Sequence, residues 1–199
     1  MRFNPNAAFD CLFIADRLGQ EAGSFTGAEL HLFGYLACLL WLYRRRAVSD
    51  WGYPFVGTEL GAPYSQDIDM SIKGLTERGY FVSIRERLRM TGSGRAILSD
   101  LAGLSLNQER AECLRAACAS TAAFSVGMVG TALAEEPELR RARALPMSRQ
   151  LLEESAQSQL YLQFEALRGA LRQVGDDLRV PAVVWLEALY RSGESIQAL

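Results

Sequence analysis

The sequence predicts a mainly α fold, with one short β-hairpin in the first half and helices throughout the second. Three observations predict it. Apolar residues recur at helical spacing through most of the 199 residues. Capping motifs open several of those stretches. Two neighbouring segments, 81–84 and 87–90, change instead to the two-residue period of strands.

Hydrophobic residues make up 49% and charged residues 22% of the chain, a balance that can bury a sizeable core. The formal net charge is −2, from 21 basic and 23 acidic residues. Such a chain has no broad attraction for nucleic acid or anionic membrane, so any DNA contact must come from a local cluster. Met1-Arg2-Phe3-Asn4-Pro5 carries no charged-then-apolar signal. The apolar run Leu30 to Tyr43 is shorter than the roughly 20 residues of a membrane span. Ala116 to Leu133 is long enough, but its Ala, Gly, Ser and Thr suit a closely packed helix. A cytoplasmic protein with no membrane partner is expected. Cys11, Cys38, Cys113 and Cys118 form no C-x-x-C pair and read as buried free thiols.

In chain order, Asn6 is expected to cap a helix to about Leu18, carrying Phe9, Leu12, Phe13 and Asp16. Thr26 and Glu29 form a capping box for an apolar helix to about Arg46, closed by Arg44, Arg45 and Arg46. Asp50-Trp51-Gly52 and Pro54 mark a turn, and Phe55 to Leu60 reads as a helical turn. Ser65 opens a third helix, Gln66 to Arg78, with Ile68, Ile72 and Leu75 on one face and Gly79 as its stop. Phe81-Val82-Ser83-Ile84 and Arg87-Leu88-Arg89-Met90 come next as strands with Val82, Ile84, Leu88 and Met90 inward, joined at Arg85-Glu86. Thr91 caps the next helix, to about Ala102.

In the second half, Ser105 to Gln108 reads as a capping box for a helix running past Ala123. Pro137 and Pro146 divide the stretch beyond that helix. A long helix from about Arg149 to Val174 carries a seam of Leu160, Phe164, Leu167, Leu171 and Val174, with Gly175-Asp176-Asp177 at its end. Two heptads are too few for a sustained coiled coil, so packing on a neighbouring helix is expected. Pro181 begins a last helix with Trp185, Leu186, Leu189 and Tyr190.

No catalytic, cofactor or metal constellation is visible. His31 is the only histidine and Lys73 the only lysine. One histidine without a cysteine pair cannot build a zinc site, and neither glycine-rich phosphate loop is present. The acidic pairs Glu135-Glu136, Glu153-Glu154 and Asp176-Asp177 read as solvated charge, and His31 as a core histidine.

Helix, helix, capped helix, hairpin, helix is the order of a winged helix-turn-helix. Leu75-Thr76-Glu77-Arg78-Gly79-Tyr80-Phe81, followed by Leu88-Arg89-Met90-Thr91-Gly92-Ser93-Gly94, resembles the matching stretch of winged-helix proteins. The expected organisation is a winged-helix domain over 1–104 and a helical extension over 105–199 for interaction or oligomerisation. More narrowly, Arg2-Phe3-Asn4-Pro5, His31-Leu32-Phe33-Gly34-Tyr35-Leu36 and Tyr64 are similar to the small middle component of bacterial ABC-three-component systems. That group includes the small subunit of Lamassu anti-phage defence. The resemblance covers about the first 100 residues and departs between Trp41 and Pro63, where the group usually shows a short His-containing stretch. It implies a non-catalytic subunit joining an SMC-like ATPase to an effector.

Two functions are thus expected. The first is a complex subunit, with Gln66, Asp67, Met70 and Glu77 of the third helix and Leu160, Phe164, Leu167 and Leu171 of the seam meeting protein. The second is a dimeric regulator of the MarR or PadR type, with Lys73, Arg85, Arg87 and Arg89 on DNA phosphates. The third helix holds Asp67, Asp69 and Glu77 against Lys73 and Arg78, a poor start for approaching phosphate.

Overall fold

The computed structural model describes residues 4–145, 148–172 and 177–197. Arg2, Phe3, Pro146, Val174, Gly175 and Asp176 lie outside them, as does the side chain of Glu154. The described chain is mainly helical, with two small antiparallel sheets.

Helix α1 (Pro5–Ala22) starts slightly earlier than the sequence suggests. Asn4, not Asn6, is its cap, accepting from the Asn6 and Ala7 amides, because Pro5 suits the first helical position. Helix α2 (Gly27–Tyr43) begins at the expected capping box, in which Thr26 and Glu29 each accept the other's amide. It ends at Tyr43 rather than Arg46. The three arginines beyond it act as side-chain ties: Arg44 reaches Glu112, Arg46 reaches Glu109 and Arg45 reaches Glu165. Leu30, Phe33, Leu36, Leu39 and Leu42 are buried around the whole circumference of α2, which makes it the central helix.

A 3-10 turn over Val48–Trp51 closes at Gly52, whose φ of 89° a side chain would resist. Phe55 to Leu60 is not helical. Strand β1 (Val56–Gly57) lies there, between β2 (Pro63–Tyr64) and β5 (Arg149–Gln150), all antiparallel. Local pattern could not show this, because its partner β5 is 92 residues away in sequence. Helix α3 (Gln66–Glu77) comes next, with Ile68 and Leu75 buried against α1 and Gly79 left-handed as expected.

Strands β3 (Phe81–Ile84) and β4 (Arg87–Met90) pair in the register Phe81↔Met90, Val82↔Arg89 and Ile84↔Arg87. This register corrects the expected inner face. Phe81 and Met90 are buried, and Val82 and Ile84 point outward at 37% and 47% exposure. Directly opposed residues share a face, so Phe81 going in sends Val82 and Ile84 out. A third strand edge joins the hairpin through Phe25, whose amide and carbonyl both bond Leu88 at 2.9 and 2.7 Å. Thr91 caps α4 (Gly92–Ala102), accepting from Gly94 N and donating to the Gly79 and Tyr80 carbonyls.

The Ser105 capping box does not form. Ser105–Asn107 is a 3-10 turn without a side-chain cap, and α5 is Gln108–Ala119. The small-residue stretch after it is broken. The chain bends by 112° before α6 (Val126–Ala134), and no single described helix is long and apolar enough to cross a membrane. Pro137 opens α7 (Pro137–Ala144). The helix expected from Arg149 begins later, as α8 (Glu154–Ala170), because Arg149 and Gln150 are drawn into β5. Helix α9 (Arg179–Gln197) carries Pro181 in its first turn.

Helix α5 packs on α1 and α2, and α6 and α8 pack on α9. One hydrophobic core therefore runs from Phe9 and Leu36 through Leu114 to Leu186, across the position 104/105. All four cysteines are buried in it as free thiols. Burial pushes each of them up in pKa.

Candidate functional site

Ile68 and Leu75 anchor α3, which leaves Gln66, Lys73 and Glu77 exposed and Asp67, Asp69 and Met70 half-buried. The Lys73 ammonium donates to Asp69 Oδ2 at 2.8 Å, one helical turn back. Asp67 Oδ1 accepts from Asn4 Nδ2 at 3.2 Å. With its lysine matched by Asp69, α3 keeps the charges of Asp67 and Glu77 against that of the exposed Arg78 at its C-cap, one net negative charge. An anion approaching it meets net repulsion.

The hairpin is electrostatically different. Arg87 is occupied: its Nε donates to Ser24 Oγ at 2.7 Å, and its Nη2 to the Ser24 carbonyl at 2.7 Å. Glu29 lies 3.6 Å from the same Nη2. Arg87 thereby ties β4 to the segment before α2. Arg85 and Arg89 are exposed, with no ion pair among the described residues. Arg95 on α4 is a third such guanidinium, which sequence reasoning missed. Its signal was its place one turn inside a Thr91-capped helix, next to the strand end carrying Arg89. Arg89 and Arg95 together line a concavity of about 400 Å³ with Val82, Met90, Thr91 and Gly92. They also line a second concavity of about 520 Å³ toward α1, which includes Asp16.

The seam on α8 is taken up inside the chain. Leu160 and Phe164 are buried, and the Phe164 ring meets Tyr43 at 5.6 Å and Trp185 at 5.2 Å, both edge-on. Leu167 and Leu171 are half-buried. Leu160 and Phe164 therefore have no surface to offer a partner: both are buried within the chain, Phe164 between α2 and α9.

A larger groove, about 930 Å³, separates residues 47–55 from 150–161. Tyr53, Phe55, Leu151 and Leu152 form its apolar floor, and Ser49, Gln150, Glu153, Gln157 and Tyr161 its rim. Glu153 is the one acidic side chain lining it, and no histidine, cysteine, lysine or arginine among the described residues faces it. A carboxylate alone supplies neither a nucleophile–base pair nor a metal site. Among the described residues no group of three His, Cys, Asp or Glu is placed to hold a metal ion.

Two buried polar groups were not legible as such. Asp10, on an otherwise apolar face of α1, accepts from Arg110 of α5 and from Tyr53 Oη at 2.5 Å. Burial raises the Asp10 pKa, and Arg110 and Tyr53 oppose that rise. Glu136 corrects the expectation of solvated charge. It is fully buried, accepts from Glu138 N and Leu139 N at the start of α7, and receives the Tyr35 hydroxyl at 3.2 Å. Desolvation pushes its pKa up to about 7. Its neighbour Glu135 pairs with Arg143, while Glu153 and Asp177 are exposed.

His31 is 9% exposed and stacks on Tyr64, with ring centroids 4.8 Å apart. Its Nδ1 accepts the Ser65 amide at 3.1 Å, which places the proton of the neutral ring on Nε2. Burial lowers its pKa to about 4. Its neighbours are an amide, a ring and the more distant Asp69 charge, an arrangement that positions the start of α3.

No known protein family, no curated protein and no solved structure matches the chain.

Proposed function

We propose that this chain is a non-catalytic subunit of a cytoplasmic multi-protein complex, built on a winged helix-turn-helix that meets protein through its third helix. The observation that carries this reading is the charge of α3. Its lysine is matched by Asp69, and Asp67 and Glu77 outnumber the one further cation, Arg78 at its C-cap. A helix with that face is unsuited to entering a DNA groove between phosphates. It does suit a protein partner, for which acids and the half-buried Met70 are ordinary contacts.

The order α1, Phe25 edge, α2, α3, β3, β4 supports the winged-helix reading, with β3–β4 as the wing. The resemblance to the small middle component of ABC-three-component systems points to an SMC-like ATPase as the partner, in anti-phage defence.

The test is an affinity pull-down of the tagged chain from its native host, read by mass spectrometry. Stoichiometric recovery of an SMC-like ATPase, lost in a Gln66→Arg/Glu77→Arg variant of unchanged circular dichroism, is the expected result. Recovery of the chain alone as a dimer would overturn the reading and leave the MarR- or PadR-type regulator in its place.

A further inference from the structure

We infer that the groove between residues 47–55 and 150–161 takes up an extended segment of a partner protein by strand addition, a segment that carries an apolar side chain with a lysine or arginine beside it. This goes beyond the subunit reading, which rests on α3, and the two can fail separately.

The first argument is unpaired backbone. The chain of β5 follows β1 only as far as Leu151, whose amide donates to the Phe55 carbonyl at 2.9 Å. At Leu152 it turns left-handed, with φ 61°, and leaves for α8, held there by Gln157 Nε2 donating to the Leu152 carbonyl at 2.8 Å. A leucine resists that conformation, and such positions gather at binding sites. Residues 53–55 are thereby left without a continuing strand beside them. The Phe55 amide has no hydrogen-bond partner among the described residues, and neither the amide nor the carbonyl of Tyr53 has one. In an extended strand a residue's amide and carbonyl point to the same side, so the Phe55 amide faces the side that β5 vacates. Phe55 lines the groove at 2% exposure, and a buried backbone amide without an acceptor is rare in folded proteins. A carbonyl of the added segment supplies that acceptor.

The second argument is period. Tyr53 and Phe55 are two residues apart, about 7 Å along an extended chain, the interval at which a neighbouring strand presents successive bonding pairs. A polypeptide backbone carries that repeat whatever its side chains. The chain bends at Tyr53, so the paired stretch is short, about three residues.

The third argument is what the side chains meet. Leu151 and Leu152 make the floor apolar, and alternate side chains of an extended segment fall on one face, toward it. Glu153 stands exposed at the rim, makes no side-chain bond to the start of α8, and has no ion pair among the described residues. No lysine, arginine or histidine among the described residues lines the groove to neutralise it. A cation next to the apolar side chain is its complement.

The test is fluorescence anisotropy on the full chain with an array of labelled synthetic hexapeptides, alternating Val, Leu or Phe with Lys or Glu, in about 50 mM salt. Lysine peptides should bind, and their glutamate counterparts should bind about tenfold more weakly, an exposed attraction being exchanged for a repulsion. Glu153→Lys should reverse that preference with thermal unfolding unchanged, since the side chain is exposed and unbonded. Methylating the backbone amides of a lysine peptide keeps every side chain but removes the donors for the Tyr53 carbonyl, and should weaken binding about tenfold. Hydrogen exchange at the Tyr53 and Phe55 amides should slow when the peptide is bound. No binding by any lysine peptide, equal binding by the methylated form, unchanged exchange at both amides, or an unchanged charge preference in Glu153→Lys would each overturn the inference. These measurements use no partner from the host, so their failure leaves the α3 reading untouched, and failure of the pull-down leaves peptide binding in the groove intact.

Discussion

Arg110 of α5 holds both carboxylate oxygens of Asp10 on α1, at 2.5 Å through Nε and 2.7 Å through Nη2, with both side chains withdrawn from water. The same guanidinium lies 3.8 Å from the Trp51 ring centroid and donates to the Trp51 carbonyl at 2.8 Å. One buried pair thus joins α1, α5 and the 3-10 turn of residues 48–51. It crosses from the first half of the chain to the second, so the halves are held by polar as well as apolar contact.

Breaking this pair from one side should be costly. Asp10→Ala leaves a buried guanidinium without its counter-charge, a loss of about 3–5 kcal/mol in urea unfolding. Asp10→Leu/Arg110→Met, which removes both charges, should recover most of that loss. A loss below about 1 kcal/mol for Asp10→Ala would mean that water reaches the site.

Glu136 makes stability depend on pH with an unusual sign for a carboxylate. Its folded pKa of about 7 lies above the ordinary 4.5, so the folded protein holds this proton more tightly than the unfolded chain. Its contribution is fully present below pH 4.5 and is lost as pH rises through 7, in total roughly 3 kcal/mol. Glu136→Gln should therefore lose less stability than the unsubstituted protein between pH 5 and 8, read as Tm against pH. Parallel curves for the two proteins would disprove the assignment.

His31 acts in the opposite direction. Its folded pKa of about 4 is below the ordinary 6.5, so acidification drives protons onto the unfolded chain. Its contribution is present above pH 6.5 and falls by roughly 1.4 kcal/mol per pH unit between 6.5 and 4. His31→Gln should show a shallower acid loss than the unsubstituted protein. Between pH 4.5 and 6.5 the Glu136 and His31 slopes oppose each other, and a variant lacking both should differ little there in pH dependence.

Phe164→Ala should destabilise by about 3–5 kcal/mol, since the ring is 1% exposed between Tyr43 and Trp185. Sedimentation should show the same oligomeric state in variant and unsubstituted protein, because the seam is covered within one chain. A change of state without a drop in Tm would place Phe164 at a subunit interface instead.

Local features were settled by neighbouring residues alone. Thr26 with Glu29, Thr91 before Gly92, and Gly79 after α3 set helix ends through bonds within a few residues, and the hairpin comes from its two-residue period. The apolar circumference of α2 announced a central helix in the same way. Whatever depended on distant partners was decided by the tertiary fold. Strand β1 exists because residues 149–150 reach it, and that pairing also delays the start of α8. Asp10 and Glu136 look like surface acids until Arg110 and Tyr35, about 100 positions away, show where they lie. The outward turn of Val82 and Ile84 came from Phe81 entering the core beside Phe25. The candidate surface divides along the same line. Acidity on α3 can be counted in sequence, whereas only the fold shows that Arg87 is occupied by Ser24 while Arg89 and Arg95 share one cleft. Capping and periodicity act within one or two turns, but burial and charge pairing depend on which segments the core brings together.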